Sequence, residues 1–160
     1  MKPEPDKLGA LIDTARALET AGVQYALIGG LAVGVHTNLP RATIDVDVAV
    51  HLGAGRESAV KALEQAGLKK TGEFEHSVNF RHGSGEPVQL AFDVAFDAMI
   101  ERAESIDIGG INIMVVRKDD LIAMKKRAAA DPARRKSKRL RDQADIEMLL
   151  GDVPDVDEGW

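Results

Sequence analysis

"VQYALIGGLAVGVHTNLPRATIDVDVAV", residues 23–50, reads as strand, glycine pair, short helix and strand. Residues 23–28 have the length and apolar character of a buried strand, and Gly29 and Gly30 follow directly. "LAVGVH" then reads as a short helix ended near "NLP". From 41 to 50 the chain alternates, with Ile44, Val46, Val48 and Val50 turned one way and Asp45, Asp47 and Ala49 the other. Asp is depleted in strands, and two of them on one face repel unless something positive lies between them. The glycine pair, in turn, lets backbone N–H groups approach an anion at a helix start with no Cβ in the way.

Working outward, residues 6–20 place Leu8, Leu11, Ile12, Ala15 and Leu18 on one helical face and stop at Ala21-Gly22. Residues 56–66 have helical spacing and end at Gly67, and two strands are expected over 69–75 and 76–82. "HGSGEP" is a turn, and 88–96 reads as a strand with Val88, Leu90, Phe92 and Val94 on one face and Gln89, Ala91 and Asp93 on the other. "ESIDIGGINIMVV" pairs two β-prone runs about a Gly-Gly turn. Two helices close the chain: "KDDLIAMKKRAAA", with a stripe of Leu121, Ile122, Met124 and Ala128, and "RRKSKRLRDQADIEMLL" beyond the break at Asp131-Pro132. The expected fold is α/β: a small mixed sheet carrying the aspartates, helices packed behind it, and a C-terminal helical pair closing one side of a cleft.

Composition narrows the chemistry. A length of 160 residues suits one domain, read here as residues 1–150, with 151–160 as an acidic, flexible tail. No cysteine is present, so thiolate metal sites and thiol nucleophiles are excluded and any metal must be held by oxygen or histidine. His36, His51, His76 and His82 have no ligand spacing and read as turn or surface residues. No signal-peptide core and no apolar run of membrane-spanning length occurs, so a cytoplasmic protein without membrane contact is expected. Net charge is −5, yet nine of the 21 Lys and Arg residues lie between Lys125 and Arg141. That run has three readings: a solvated helix face, a clamp for nucleotide phosphates, or a track for an RNA acceptor through Arg134, Arg135, Lys136, Lys138, Arg139 and Arg141.

Asp45 and Asp47 on one strand and Asp93 on a later one form a donor set for Mg²⁺, which prefers oxygen ligands and keeps substrate phosphates in its shell. Two such ions can stabilise the attacking and leaving oxygens of an in-line displacement at phosphorus. A phosphate cradle beside an acidic triad points to nucleotide transfer. Each feature also has a plain alternative: an ordinary turn for the glycines, solvated strand residues for the aspartates, and a surface pair with Arg141 for Asp145.

"LIGGLAVGVHTNLPRATIDVDV" resembles the signature of the nucleotidyltransferase superfamily related to DNA polymerase β. "RATIDVD", "DLIAMK" and "RDQADI" are similar to its AbiEii-type toxin branch, found in toxin–antitoxin and phage-defence systems. The resemblance covers roughly residues 23–150. It implies that Gly29 and Gly30 hold the triphosphate, that Asp45 and Asp47 bind both Mg²⁺ ions, and that Asp93 completes the catalytic metal site and orients or deprotonates the acceptor. It further implies that Lys125 contacts nucleotide phosphates, that Asp145 belongs to a further acidic motif of the nucleotide site, and that Arg41 helps with phosphate or acceptor. The implied reaction moves a nucleoside monophosphate from an NTP to an acceptor hydroxyl on a tRNA end or a protein, with an antitoxin protein as partner. A small-molecule, drug-modifying transferase and a non-catalytic nucleotide- or RNA-binding relative stand as alternatives.

Overall fold

Two short strands, β1 (Tyr25–Ile28) and β2 (Val46–Val50), lie side by side and antiparallel at the heart of the sheet, joined through helix α2 (Gly29–Thr37). The computed structural model describes residues 6–38 and 45–151. Among these, seven strands form one mixed sheet in the order β3-β4-β5-β2-β1-β7-β6. The remaining strands are β3 (Lys69–Glu73), β4 (Ser77–Arg81), β5 (Pro87–Ala91), β6 (Glu104–Ile108) and β7 (Ile111–Val115). β5 runs parallel to β2, β7 runs parallel to β1, and the other pairs are antiparallel.

Helix α1 (Lys7–Thr20) starts where the Asp6 carboxylate accepts the Gly9 N–H at 2.8 Å. It buries Ala10, Leu11, Ala15 and Leu18, whereas Leu8, expected on the inner face, is left exposed. α1 packs on α3 (Arg56–Gln65), and the terminal helices α5 (Lys118–Ala130) and α6 (Lys136–Leu150) pack on each other and on α2. The core beneath them holds Leu27, Val33, Val46, Val48, Val88, Leu90, Ile113, Leu121 and Leu149, all essentially without solvent contact. β2 therefore keeps the valine face that its alternation predicts. No helix among the described residues is long and apolar enough to cross a membrane.

Two expectations need correction. The strand read as 88–96 stops at Ala91; Asp93 instead caps a 3-10 turn at 94–96, accepting the Ala95 N–H at 2.9 Å, and a short helix α4 (Asp97–Glu101) follows. Of the histidines, His82 opens the 82–86 turn, held between Asp13 (2.7 Å) and Ser84 (2.8 Å), and His76 is exposed, as read, whereas His36 is half-buried in α2 with Nε2 2.7 Å from the Val116 carbonyl.

Candidate active site

Because β1 and β2 are antiparallel, the C-terminal end of β1 meets the N-terminal end of β2, and Ile28 stands opposite Asp47. The next residue, Gly29, opens α2 with φ +73°, and a Cβ there would lie 2.5 Å from Asp47 Oδ2. Glycine is therefore required twice over, by backbone conformation and by the carboxylate packed against it. α2 has no side-chain cap, which leaves its first N–H groups and the positive end of its dipole beside Asp47. Gly29→Ala is expected to destabilise the protein by about 1–3 kcal/mol through strain and to weaken anion binding at the helix start. Chemical denaturation, together with nucleotide titration of the variant, measures both effects.

Asp45 and Asp47 share the face opposite Val46 and are half-buried. Asp47 Oδ1 is buried and has no hydrogen-bond partner among the described residues. Burial pushes the Asp47 carboxyl up to about 6, the Asp45 charge adds to this, and Lys125 opposes it. Two carboxylates at a helix start, one with an orphaned buried oxygen, make a donor pair that fits a hard cation carrying phosphate ligands.

Lys125 occupies the seam between α5 and α6. Its Nζ lies 3.2 Å from Asp142 Oδ1 and 3.1 Å from Asp145 Oδ2, and Arg134 Nε lies 2.9 Å from Asp142 Oδ2. Asp142 and Asp145 are 2% and 0% exposed, so Asp145 is packed on Lys125 in the interior and does not sit on the surface beside Arg141. Asp142 was not singled out from the sequence, although it lies three residues before Asp145 in "RDQAD", the i, i+3 spacing of one helix face.

Asp93 stands apart from the pair. The parallel register sets Gln89 level with Asp47 and Ala91 level with Ala49, so Asp93 lies four residues beyond the position facing Asp47. It lines a cavity of about 530 Å³ with Phe96, Met124, Arg127, Asp131 and Arg134. No three acidic or histidine side chains among the described residues come close enough to hold an ion. Arg41 lies outside the described residues. Of the basic run, Arg135, Lys136, Lys138 and Arg141 are exposed, Arg139 is half-buried, and Arg134 is engaged by Asp142.

Residues 12–158 match the family model described as "Nucleotidyl transferase AbiEii toxin, Type IV TA system". The chain belongs to that family. Among curated proteins none matches the sequence closely enough to count as a relative. The nucleotidyltransferase fold recurs in solved structures. Lincosamide antibiotic adenylyltransferase LnuA, lincomycin-bound, is 15% identical, with 94% of this chain and 99% of that one covered and a TM-score of 0.63. The antibiotic-resistance factor ANT(2'')-Ia is 15% identical over 91% and 85% at a TM-score of 0.65. An antigenic nucleotidyltransferase-like protein from Paracoccidioides brasiliensis is 20% identical over 98% and 82% at 0.63. At such identities the likeness is one of fold.

Proposed function

We propose that this nucleotidyltransferase transfers a nucleoside monophosphate from an NTP to an acceptor hydroxyl in a Mg²⁺-dependent reaction centred on Gly29, Asp45 and Asp47. The observation that carries this reading is the Asp47 carboxylate, its oxygen Oδ1 buried without a partner, packed against the first residue of α2. Asp45 and Asp47 hold the cation, and the N–H groups at Gly29 and Gly30 hold phosphate oxygens. When bound, Mg²⁺ would neutralise charge on the triphosphate and align it for in-line attack. Lys125, fixed by Asp142 and Asp145, offers a positive charge to the same region. The acceptor oxygen forms its bond to the α-phosphorus as its proton passes to solvent water, and the bond from that phosphorus to the bridging oxygen breaks, releasing pyrophosphate. Catalysis is then positioning and charge stabilisation. Asp93, with Arg127 and Arg134 around its cavity, is assigned to the acceptor side rather than to the triphosphate. Incubation with each α-labelled NTP, Mg²⁺ and cell extract tests the reading: label must pass to an acceptor from at least one NTP and must stay behind when Mg²⁺ is chelated.

An RNA acceptor is favoured by the start of α6. Arg135, Lys136 and Lys138 cluster there with no acidic residue in the first turn, although cations at a helix N-terminus oppose its dipole at a few tenths of a kcal/mol each. An exposed arrangement that costs stability is accounted for by a polyanion bound across it. RNA binding is expected to weaken steeply with salt, and an Arg135→Gln, Lys138→Gln double variant should lower the log–log slope by about 1.4 units, at roughly 0.7 per phosphate contact. Identical slopes for wild type and variant would return these residues to a solvated helix face. Membership of a toxin family supports an antitoxin protein as a further partner.

A further inference from the structure

The third carboxylate expected at the metal site has a definite address in this sheet, and an amide occupies it. Two carboxylates share an ion across neighbouring strands when they sit level on one face, at the interstrand spacing of about 4.8 Å. Asp47 lies on β2 with Gln89 as its partner on β5, and Gln89 in turn is level with Asn79 on β4. The row across the sheet is therefore Asp47, Gln89, Asn79, one acid followed by two amides.

Beside it a cavity of about 150 Å³ is lined by Asp45, Thr71, Asn79, Arg81 and Gln89 among others, and Asn79 Oδ1 is buried there without a hydrogen-bond partner among the described residues. Apart from Asp45, this lining is neutral or cationic. An amide oxygen can ligate Mg²⁺ but brings no charge to offset a second divalent ion beside the first.

We infer that this chain binds its NTP with a single divalent ion, held by Asp45 and Asp47, and that Gln89 is the residue that withholds a second. The inference rests on the nucleotide reading of the same site and departs from the two-ion arrangement that the sequence suggests.

The test counts Mn²⁺ by electron paramagnetic resonance, with protein in excess over a non-hydrolysable NTP analogue so that all nucleotide is bound. Wild type is expected to take up about one ion per bound nucleotide. Gln89→Asp and Gln89→Glu are expected to take up about two, and Asp93→Asn to stay at about one. Two ions on wild type, falling to one in Asp93→Asn, would overturn the inference and restore Asp93 as the third ligand. A count that stays at one in both folded Gln89 variants would also overturn it, since Gln89 would then not be what limits the site. If neither variant folds, the wild-type count decides alone. Wild type that binds no nucleotide with Mn²⁺ would instead refute the nucleotide reading, and this inference with it.

Discussion

Asp47→Asn is expected to cut nucleotidyl transfer by on the order of a thousandfold while making the ligand-free protein more stable at neutral pH. On the proposed reading, activity falls because the variant lacks one of the two charges that would hold the cation. The stability gain follows from the position of the carboxyl, pushed up to about 6 in the folded protein from an ordinary value of 3.8. As pH rises between these values the unfolded chain releases a proton that the folded chain keeps, so stability falls across the window. Above it, the ionised carboxylate costs on the order of 2–3 kcal/mol, which a neutral amide removes. Melting curves without metal, from pH 4 to pH 8, should run together near pH 4 and diverge in favour of Asn above pH 6. Parallel curves across the whole range would mean that Asp47 is a solvated strand residue.

Lys125→Met is expected to destabilise the protein by about 3–5 kcal/mol, because it removes a cation from two carboxylates that have almost no access to water. Asp142 retains Arg134 after the substitution. Adding Asp145→Asn to the Lys125→Met variant should recover a substantial share of the lost stability. Lys125→Arg should not restore the wild type fully, since a planar fork cannot replace a point charge between two acceptors on one helix face. Urea unfolding of the single and double variants gives the coupling directly. A Lys125→Met variant within about 1 kcal/mol of wild type would contradict the buried triad.

Much of the sheet was legible because burial on one face imposes a period of two. Val46, Val48 and Val50 alternate with Asp45, Asp47 and Ala49, and the structure buries the three valines and leaves the two aspartates half-buried, although Ala49 is buried as well. The Gly29-Gly30 turn was legible for a local reason as well, a strand of buried length running straight into two residues without a Cβ. The end of β5 was not. Val94 and Phe96 continue the alternation of Val88, Leu90 and Phe92, so the pattern runs on where the chain turns at Asp93; side-chain capping by Asp93 closes the strand, and periodicity carries no sign of it.

The same limit explains the candidate site. Asp93 drew notice as an acid of the right parity on the strand read as 88–96, but parity says only which face a residue shares. How far along that face it stands depends on the register between β2 and β5, a long-range property that no local spacing encodes. Register moves the third position to Gln89, which a search for acids passes over. Lys125 and Asp145 were visible as motif residues, while their mutual pairing, and Asp142 within it, emerged only when α5 and α6 were packed together.

The central claim is that Asp45 and Asp47, beside Gly29, form a metal-dependent triphosphate site, and equilibrium dialysis of labelled NTPs tests it most directly. Wild type should bind at least one NTP with Mg²⁺ present and lose most of that affinity when the metal is chelated, and Asp45→Asn and Asp47→Asn should resemble the chelated wild type while remaining folded. Nucleotide binding that is indifferent to Mg²⁺ and unchanged in both folded variants, or absent from wild type for all four NTPs, would contradict it.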